Sequence, residues 1–129
     1  MPFKSQLKVL IVDDTTTSRA LLRAGLDEIG VTNVTFAVDG ADAISKINAA
    51  PPNLIISDIN MPKVDGLKLL EAVRRYGPTA KMAFIVLTSN ADKSVFQHAV
   101  QLGVNNYLMK PFTADSLRSS IEAVVGKLM

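Results

Sequence analysis

The chain contains no cysteine and only one histidine, His98. Without cysteine there is no disulfide framework, no thiolate metal site and no thiol nucleophile. With so few nitrogen and sulfur donors, zinc and copper are disfavoured as ligands of this chain. No stretch approaches the ~18–20 apolar residues of a membrane span. The start, Met1-Pro2-Phe3-Lys4-Ser5-Gln6, carries no apolar segment followed by small residues, so no signal peptide is visible. A cytoplasmic protein is the default expectation. Basic runs are missing as well. The fourteen Lys and Arg give a net charge of only +2, and they are scattered, with Arg74-Arg75 a mere pair. A nucleic-acid-binding domain needs a basic face or a recognition helix, and neither is present. There is no internal repeat, linker or low-complexity segment. The expectation is one domain over residues 1–129, with no output domain.

What is present is an alternation of apolar strands and amphipathic helices. Lys8–Val12 is a β-branched run ending in Asp13-Asp14, and Asn33–Val38 is the second strand in chain order. Asn53–Ser57 is a short apolar run that leads straight into Asp58 and a turn, Ile59-Asn60-Met61-Pro62-Lys63-Val64-Asp65-Gly66. Met82–Leu87 ends in Thr88-Ser89-Asn90, and Asn105–Met109 precedes Lys110-Pro111-Phe112. Between them, apolar residues recur at helical spacing: Leu22, Leu26 and Ile29; Ala43, Ile44 and Ile47; Leu69, Leu70, Val73 and Tyr76; Val95, Phe96, Ala99 and Val100; Leu117, Ile121, Val124 and Leu128. Thr15–Ser18 and Thr113 supply capping hydroxyls, and Gly30 and Gly103 supply stops. Five strands alternating with five helices predict an α/β fold, a doubly wound parallel sheet covered on both faces.

In such a sheet all carboxyl-terminal strand ends lie on one edge, where ligands bind. Strands one, three and four deliver Asp13-Asp14, Asp58 and Thr88 there, and the fifth delivers Lys110. Three carboxylates close together repel one another unless a cation is present. A hard divalent ion with oxygen ligands resolves this, and Mg2+ suits a site of few carboxylates plus waters. A metal beside an ionised carboxylate, a hydroxyl and an ammonium is a phosphoryl-transfer layout. Asp58 would attack phosphorus as a carboxylate nucleophile, with Mg2+, Lys110 and Thr88 stabilising charge on the phosphoryl oxygens. Each residue alone has a plainer reading. An aspartate after a strand is usually a cap or turn former, Lys110 a solvated charge, Thr88 a cap, Tyr107 a sheet residue with a wet hydroxyl, and His98 a surface residue. The coincidence of four strand ends is what favours chemistry.

Jointly and in order, Asp13-Asp14, Asp58 within Asp58-Ile59-Asn60-Met61-Pro62, Gly66, Thr88, Tyr107 and Lys110-Pro111 form a specific set. On these residues the chain closely resembles the receiver domains of two-component response regulators, and among them the stand-alone chemotaxis regulators of the CheY type. The resemblance covers essentially the whole chain and implies a flavodoxin-like receiver fold. It implies that Asp58 accepts a phosphoryl group from a phosphohistidine on a sensor histidine kinase. It implies that Asp14, Asp58 and the backbone carbonyl of Asn60 bind Mg2+, with Asp13 acting through a metal-bound water. Lys110 would pair with the phosphoryl group, and Pro111 would follow a cis peptide bond that aims the lysine. Thr88 would move inward to bond the phosphoryl group and Tyr107 would turn from exposed to buried. The changed surface, with Lys93, Phe96, Val100 and Tyr107, would be read by a partner such as a flagellar motor switch protein, and a phosphatase is a further partner. A monomer is the simplest form for a diffusible messenger.

Three positions depart from the family's best-studied chemotaxis members. Asn90 stands where they carry an acid and, with Asn60, would flank the expected path of the hydrolytic water, so the resemblance implies that dephosphorylation is tuned differently here. Thr15 stands where an apolar or aromatic residue is frequent, and Ser89 leaves access to Asp58 open. The chief rival function, a haloacid-dehalogenase-like phosphatase, needs a second acid two residues after its nucleophile, and that position is Asn60. A nucleotide-binding module would need a glycine-rich loop after the first strand rather than Asp13-Asp14-Thr15. Within the receiver reading, the alternative to motor output is a phosphate sink or phosphorelay intermediate.

Overall fold

The computed structural model describes residues 4–59, 66–88 and 93–128. It contains five strands, β1 (Val9–Val12), β2 (Val34–Ala37), β3 (Leu54–Asp58), β4 (Ala83–Thr88) and β5 (Asn106–Met109). They alternate with α1 (Thr16–Glu28), α2 (Gly40–Ala49), α3 (Gly66–Arg75), α4 (Lys93–Gln101) and α5 (Ala114–Val125). All strands are parallel in the order β2-β1-β3-β4-β5. The chain therefore moves outward from β1 in one direction, then from β3 in the other, and the crevice of such a sheet opens between those two strands.

The apolar strand runs read as continuous because both faces are buried. Val9, Ile11, Leu54, Ile56, Ile85 and Leu87 face one layer with Leu22 and Leu26 of α1 and Leu117 and Ile121 of α5. Leu10, Val12, Ile55, Phe84 and Val86 face the other, with Ala43 and Ile47 of α2 and Leu69, Leu70 and Val73 of α3. The period of two along each strand thus sorts the core into two slabs. The edge strands β2 and β5 are only partly buried, which is why β5 carries Asn106 and Tyr107 and reads weakly in sequence.

Helix ends follow from local chemistry. Thr15 and Thr113 cap α1 and α5, the latter with Ser116 in a reciprocal capping box. Gly30 and Gly103, after α1 and α4, both take φ of +88°, a conformation that side-chain-bearing residues resist. Of the apolar residues of the helical stripes, Ile44 and Tyr76 stay exposed because they flank an open groove between α2 and α3 rather than the sheet, and Phe96 and Val100 of α4 are exposed as well. Gly77–Thr79 forms a 3-10 turn after α3. Arg74 is more than one half of a surface pair. Its guanidinium donates to the carbonyls of Gly103 (3.0 Å) and Met82 (2.7 Å) and to Asn105 Oδ1 (2.8 Å), pinning the α4–β5 connection to α3. Desolvation there holds its pKa below the usual arginine value.

Gly66 fixes the distance between α3 and the end of β3. Its N–H donates to Ile59 O at 2.8 Å. A Cβ at this position would lie 2.3 Å from Asp58 O and 2.8 Å from Ile59 Cα, both backbone atoms that cannot swing aside. Gly66→Ala is therefore expected to lower stability by about 3 kcal/mol, the upper end of an overpacking penalty. Urea unfolding measures this; a wild-type midpoint would mean that α3 can slide off β3 at little cost.

Candidate functional site

The register of the sheet decides which side chains meet at its carboxyl edge. Val12, the last residue of β1, pairs with Ser57, so Asp13 and Asp58 leave adjacent strands at the same level. Asp58 pairs with Leu87, and Thr88 with Met109. The Asp13 N–H donates to Ala37 O at 3.0 Å, Ile59 N–H to Leu87 O at 3.1 Å and Lys110 N–H to Thr88 O at 2.8 Å. These bonds extend the ladder past the strands and hold the backbone beneath each functional side chain. Both Asp58 and Thr88 prove to be the last residues of their strands.

Asp13, Asp58 and Thr88 are buried, and Asp14 is exposed. One carboxylate oxygen from each of Asp13, Asp14 and Asp58 lies within 4.8 Å of the others. Lys110 reaches into this cluster, with Nζ 3.0 Å from Asp58 Oδ2, 3.9 Å from Asp13 Oδ2 and 3.5 Å from Ser18 Oγ. The peptide bond between Lys110 and Pro111 is cis. Asp13 Oδ2 is buried and has no hydrogen-bond partner among the described residues. Three carboxylates against one ammonium leave an excess of negative charge, and an orphaned buried oxygen is a position a ligand can fill. The all-oxygen donor set fits a hard divalent cation such as Mg2+.

On the flank of the sheet, Tyr107 of β5 is 41% exposed. Its ring meets Phe96 of α4 edge-on, with centroids 4.5 Å apart and planes at 68°. Phe96 and Val100 are 41% and 53% exposed, so α4 presents apolar surface outward beside Tyr107. His98 is exposed on the same helix. Lys93 opens α4, and Asn60, Ser89 and Asn90 lie outside the described residues.

The response regulator receiver domain model matches residues 9–122, nearly the whole chain. The chain belongs to the response regulator receiver family. It is 47% identical over 128 residues to the probable chemotaxis protein CheY of Rhizobium etli, covering 99% of both chains. Among solved structures, the Vibrio cholerae chemotaxis protein CheY4 superposes with a TM-score of 0.86 at 31% identity, over 93% of this chain and 99% of that one. The receiver domain of a Pseudomonas aeruginosa sensor histidine kinase, with a magnesium ion coordinated in its active-site cleft, gives 0.84 at 26%, over 94% and 98%. This chain is thus a chemotaxis-type receiver, a signalling protein rather than a substrate-turnover enzyme. No helix among the described residues is long and apolar enough to cross a membrane.

Sequence reasoning missed three residues of this receiver's site. Arg19 donates to Asp13 O at 2.7 Å, Ser18 approaches Lys110, and Thr15 bonds Asp13 Oδ1 through both its N–H (3.0 Å) and its hydroxyl (3.1 Å). In the sequence Thr15–Ser18 read as capping hydroxyls, with Thr15 also a departure from the family's usual apolar residue. The signal available was that the α1 cap follows the acidic pair directly, so its first turn must adjoin them.

Lys110 is the one ammonium within ion-pair distance of both buried carboxylates among the described residues. Lys110→Ala is expected to cost about 2 kcal/mol of stability in divalent-free buffer. That lies below the ~3–5 kcal/mol of a fully buried pair, because the lysine side chain is 26% exposed. Denaturant unfolding checks it, and unchanged stability would mean that solvent, not Lys110, compensates the two acids.

Proposed function

We propose that Asp58 is the phosphoryl acceptor of a chemotaxis signalling pathway and that a histidine kinase supplies the group. The observation that carries this reading is the Lys110 Nζ–Asp58 Oδ2 contact at 3.0 Å within the three-carboxylate cluster. A carboxylate oxygen of Asp58 attacks the phosphorus of the donor phosphohistidine. The new O–P bond forms as the P–N bond breaks, and the electron pair leaves on the imidazole nitrogen, which takes a proton. Mg2+, held by Asp14, Asp58 and the Asn60 carbonyl with Asp13 behind a water, would supply charge neutralisation on the phosphoryl oxygens. The Pseudomonas aeruginosa receiver with its magnesium ion supports that assignment. Lys110 shifts its ammonium from the carboxylate to the phosphoryl group and keeps it oriented. The Thr88 hydroxyl donates to a second phosphoryl oxygen.

A phosphoryl group adds roughly two negative charges and new acceptors at the sheet edge. Thr88 is drawn inward, and Tyr107 leaves its exposed position to fill the space. The Phe96–Tyr107 contact opposes that movement, since an edge-to-face pair is worth about 0.5–1.5 kcal/mol beyond its buried area. Phosphorylation thus selects one of two surface states on α4 and β5. A motor switch protein reads that surface through Phe96, Val100, Tyr107 and Lys93, and a phosphatase resets it. Asn60 and Asn90 set the lifetime of the acyl phosphate. The chain acts in the cytoplasm as a monomeric receiver.

Incubation with a small phosphodonor such as acetyl phosphate and Mg2+ is expected to give a base-labile adduct that hydroxylamine removes. Asp58→Asn should abolish it, and a persisting adduct would place the chemistry elsewhere. For the output, Phe96→Ala is expected to weaken binding of a beryllium-fluoride-treated protein to a switch-protein N-terminal peptide about tenfold, as for a central aromatic contact. Calorimetry measures this. Binding indifferent to the fluoride adduct would favour a phosphate sink, and an unchanged affinity for Phe96→Ala would move the docking surface off α4.

A further inference from the structure

Thr15 is exposed, yet its short side chain joins two buried or structural groups. Its hydroxyl lies 3.1 Å from Asp13 Oδ1 and 3.3 Å from the N–H of Ser18, and its own N–H donates to the same Asp13 Oδ1 at 3.0 Å. An ionised carboxylate only accepts and a backbone N–H only donates, so the hydroxyl proton points at Asp13 and a lone pair caps α1. Asp13 Oδ1 is thereby saturated by two donors from one residue. Asp13 Oδ2, the buried oxygen without a partner among the described residues, is the one that lies on the Lys110 side, 3.9 Å from Nζ.

We propose that Thr15 is a positioning residue for the cation site, locking the Asp13 carboxylate so that Oδ2 faces the cluster. The terminal torsion of an aspartate is broad, and one N–H bond alone is a pivot about which the group can turn. The second donor removes that freedom. Because the same hydroxyl caps α1, the start of the helix and the orientation of the acid are set together. An apolar residue at this position keeps the N–H bond and loses the lock. The inference rests on the reading that Asp13, Asp14 and Asp58 bind Mg2+, and it adds a residue on which that affinity depends.

Titration of the intact protein with Mg2+, followed by amide nuclear magnetic resonance, tests it without recourse to phosphorylation. Thr15→Val is expected to raise the Mg2+ Kd about tenfold, the lower end of the loss for an outer-shell partner, because the N–H bond survives. Thr15→Ser, which keeps the hydroxyl, should retain the wild-type Kd. Thr113→Val serves as the control for cap loss, since it removes the N-cap side chain of α5 and Thr113 donates no hydrogen bond to an acid of the cluster among the described residues. It should lower stability and leave the Kd unchanged. A Thr15→Val Kd equal to that of the wild type, no recovery in Thr15→Ser, or equal weakening in Thr113→Val would overturn the proposal. Wild-type protein that does not bind Mg2+ at all would instead bring down the cation-site reading, and this inference with it.

Discussion

The ion pair between Lys110 and Asp58 joins residues 52 apart in the chain at 3.0 Å. It forms only if β3, β4 and β5 are paired in parallel and in register, because each residue stands at the end of a different strand. The same register brings Asp13 beside Asp58 from β1. The pair is therefore a readout of the whole sheet, and the sheet in turn rests on two apolar slabs packed by helices on both faces. Gly66 matters for the same reason, since it sets how closely α3 closes over the end of β3.

Function and stability pull in opposite directions at this edge. Buried carboxylates are costly unless paired, and here the two buried acids, Asp13 and Asp58, share Lys110 beside the exposed Asp14. A protein selected for stability alone would replace some of them. Retaining them leaves a negatively charged hollow with an oxygen that has no partner among the described residues, which is what a hard cation and then a phosphoryl group can complete. Arg74 works at the other edge of the sheet, tying the α4–β5 connection to α3.

Much of this was legible in the sequence because parallel sheets convert chain order into spatial coincidence. Apolar runs leading into Asp13, Asp58, Thr88 and Lys110 name the residues of the edge without any knowledge of distances, and the family pattern adds Tyr107. The illegible part depended on relations between elements. That Ser18 approaches Lys110 and that Arg74 spans three segments require the packing angle of helices on the sheet, which periodicity does not encode, while the double Thr15–Asp13 bond depends on the local conformation of the turn between β1 and α1. Ile44 and Tyr76 look like core residues for the same reason: a helical stripe says which face is apolar, not whether a neighbour covers all of it.

The exposed pair Phe96–Tyr107 links that edge to a surface a partner can read, and on the proposed mechanism the two must respond together. The most direct measurement is an amide nuclear magnetic resonance spectrum recorded with Mg2+ and a beryllium fluoride mimic of the phosphoryl group, alone and together. The account predicts that Mg2+ alone shifts the acidic cluster, that only the combination shifts Thr88 and Lys110 as well, and that the same combination shifts Tyr107 and Phe96. Shifts confined to the acidic cluster, or a Tyr107 response that survives in Asp58→Asn, would contradict it.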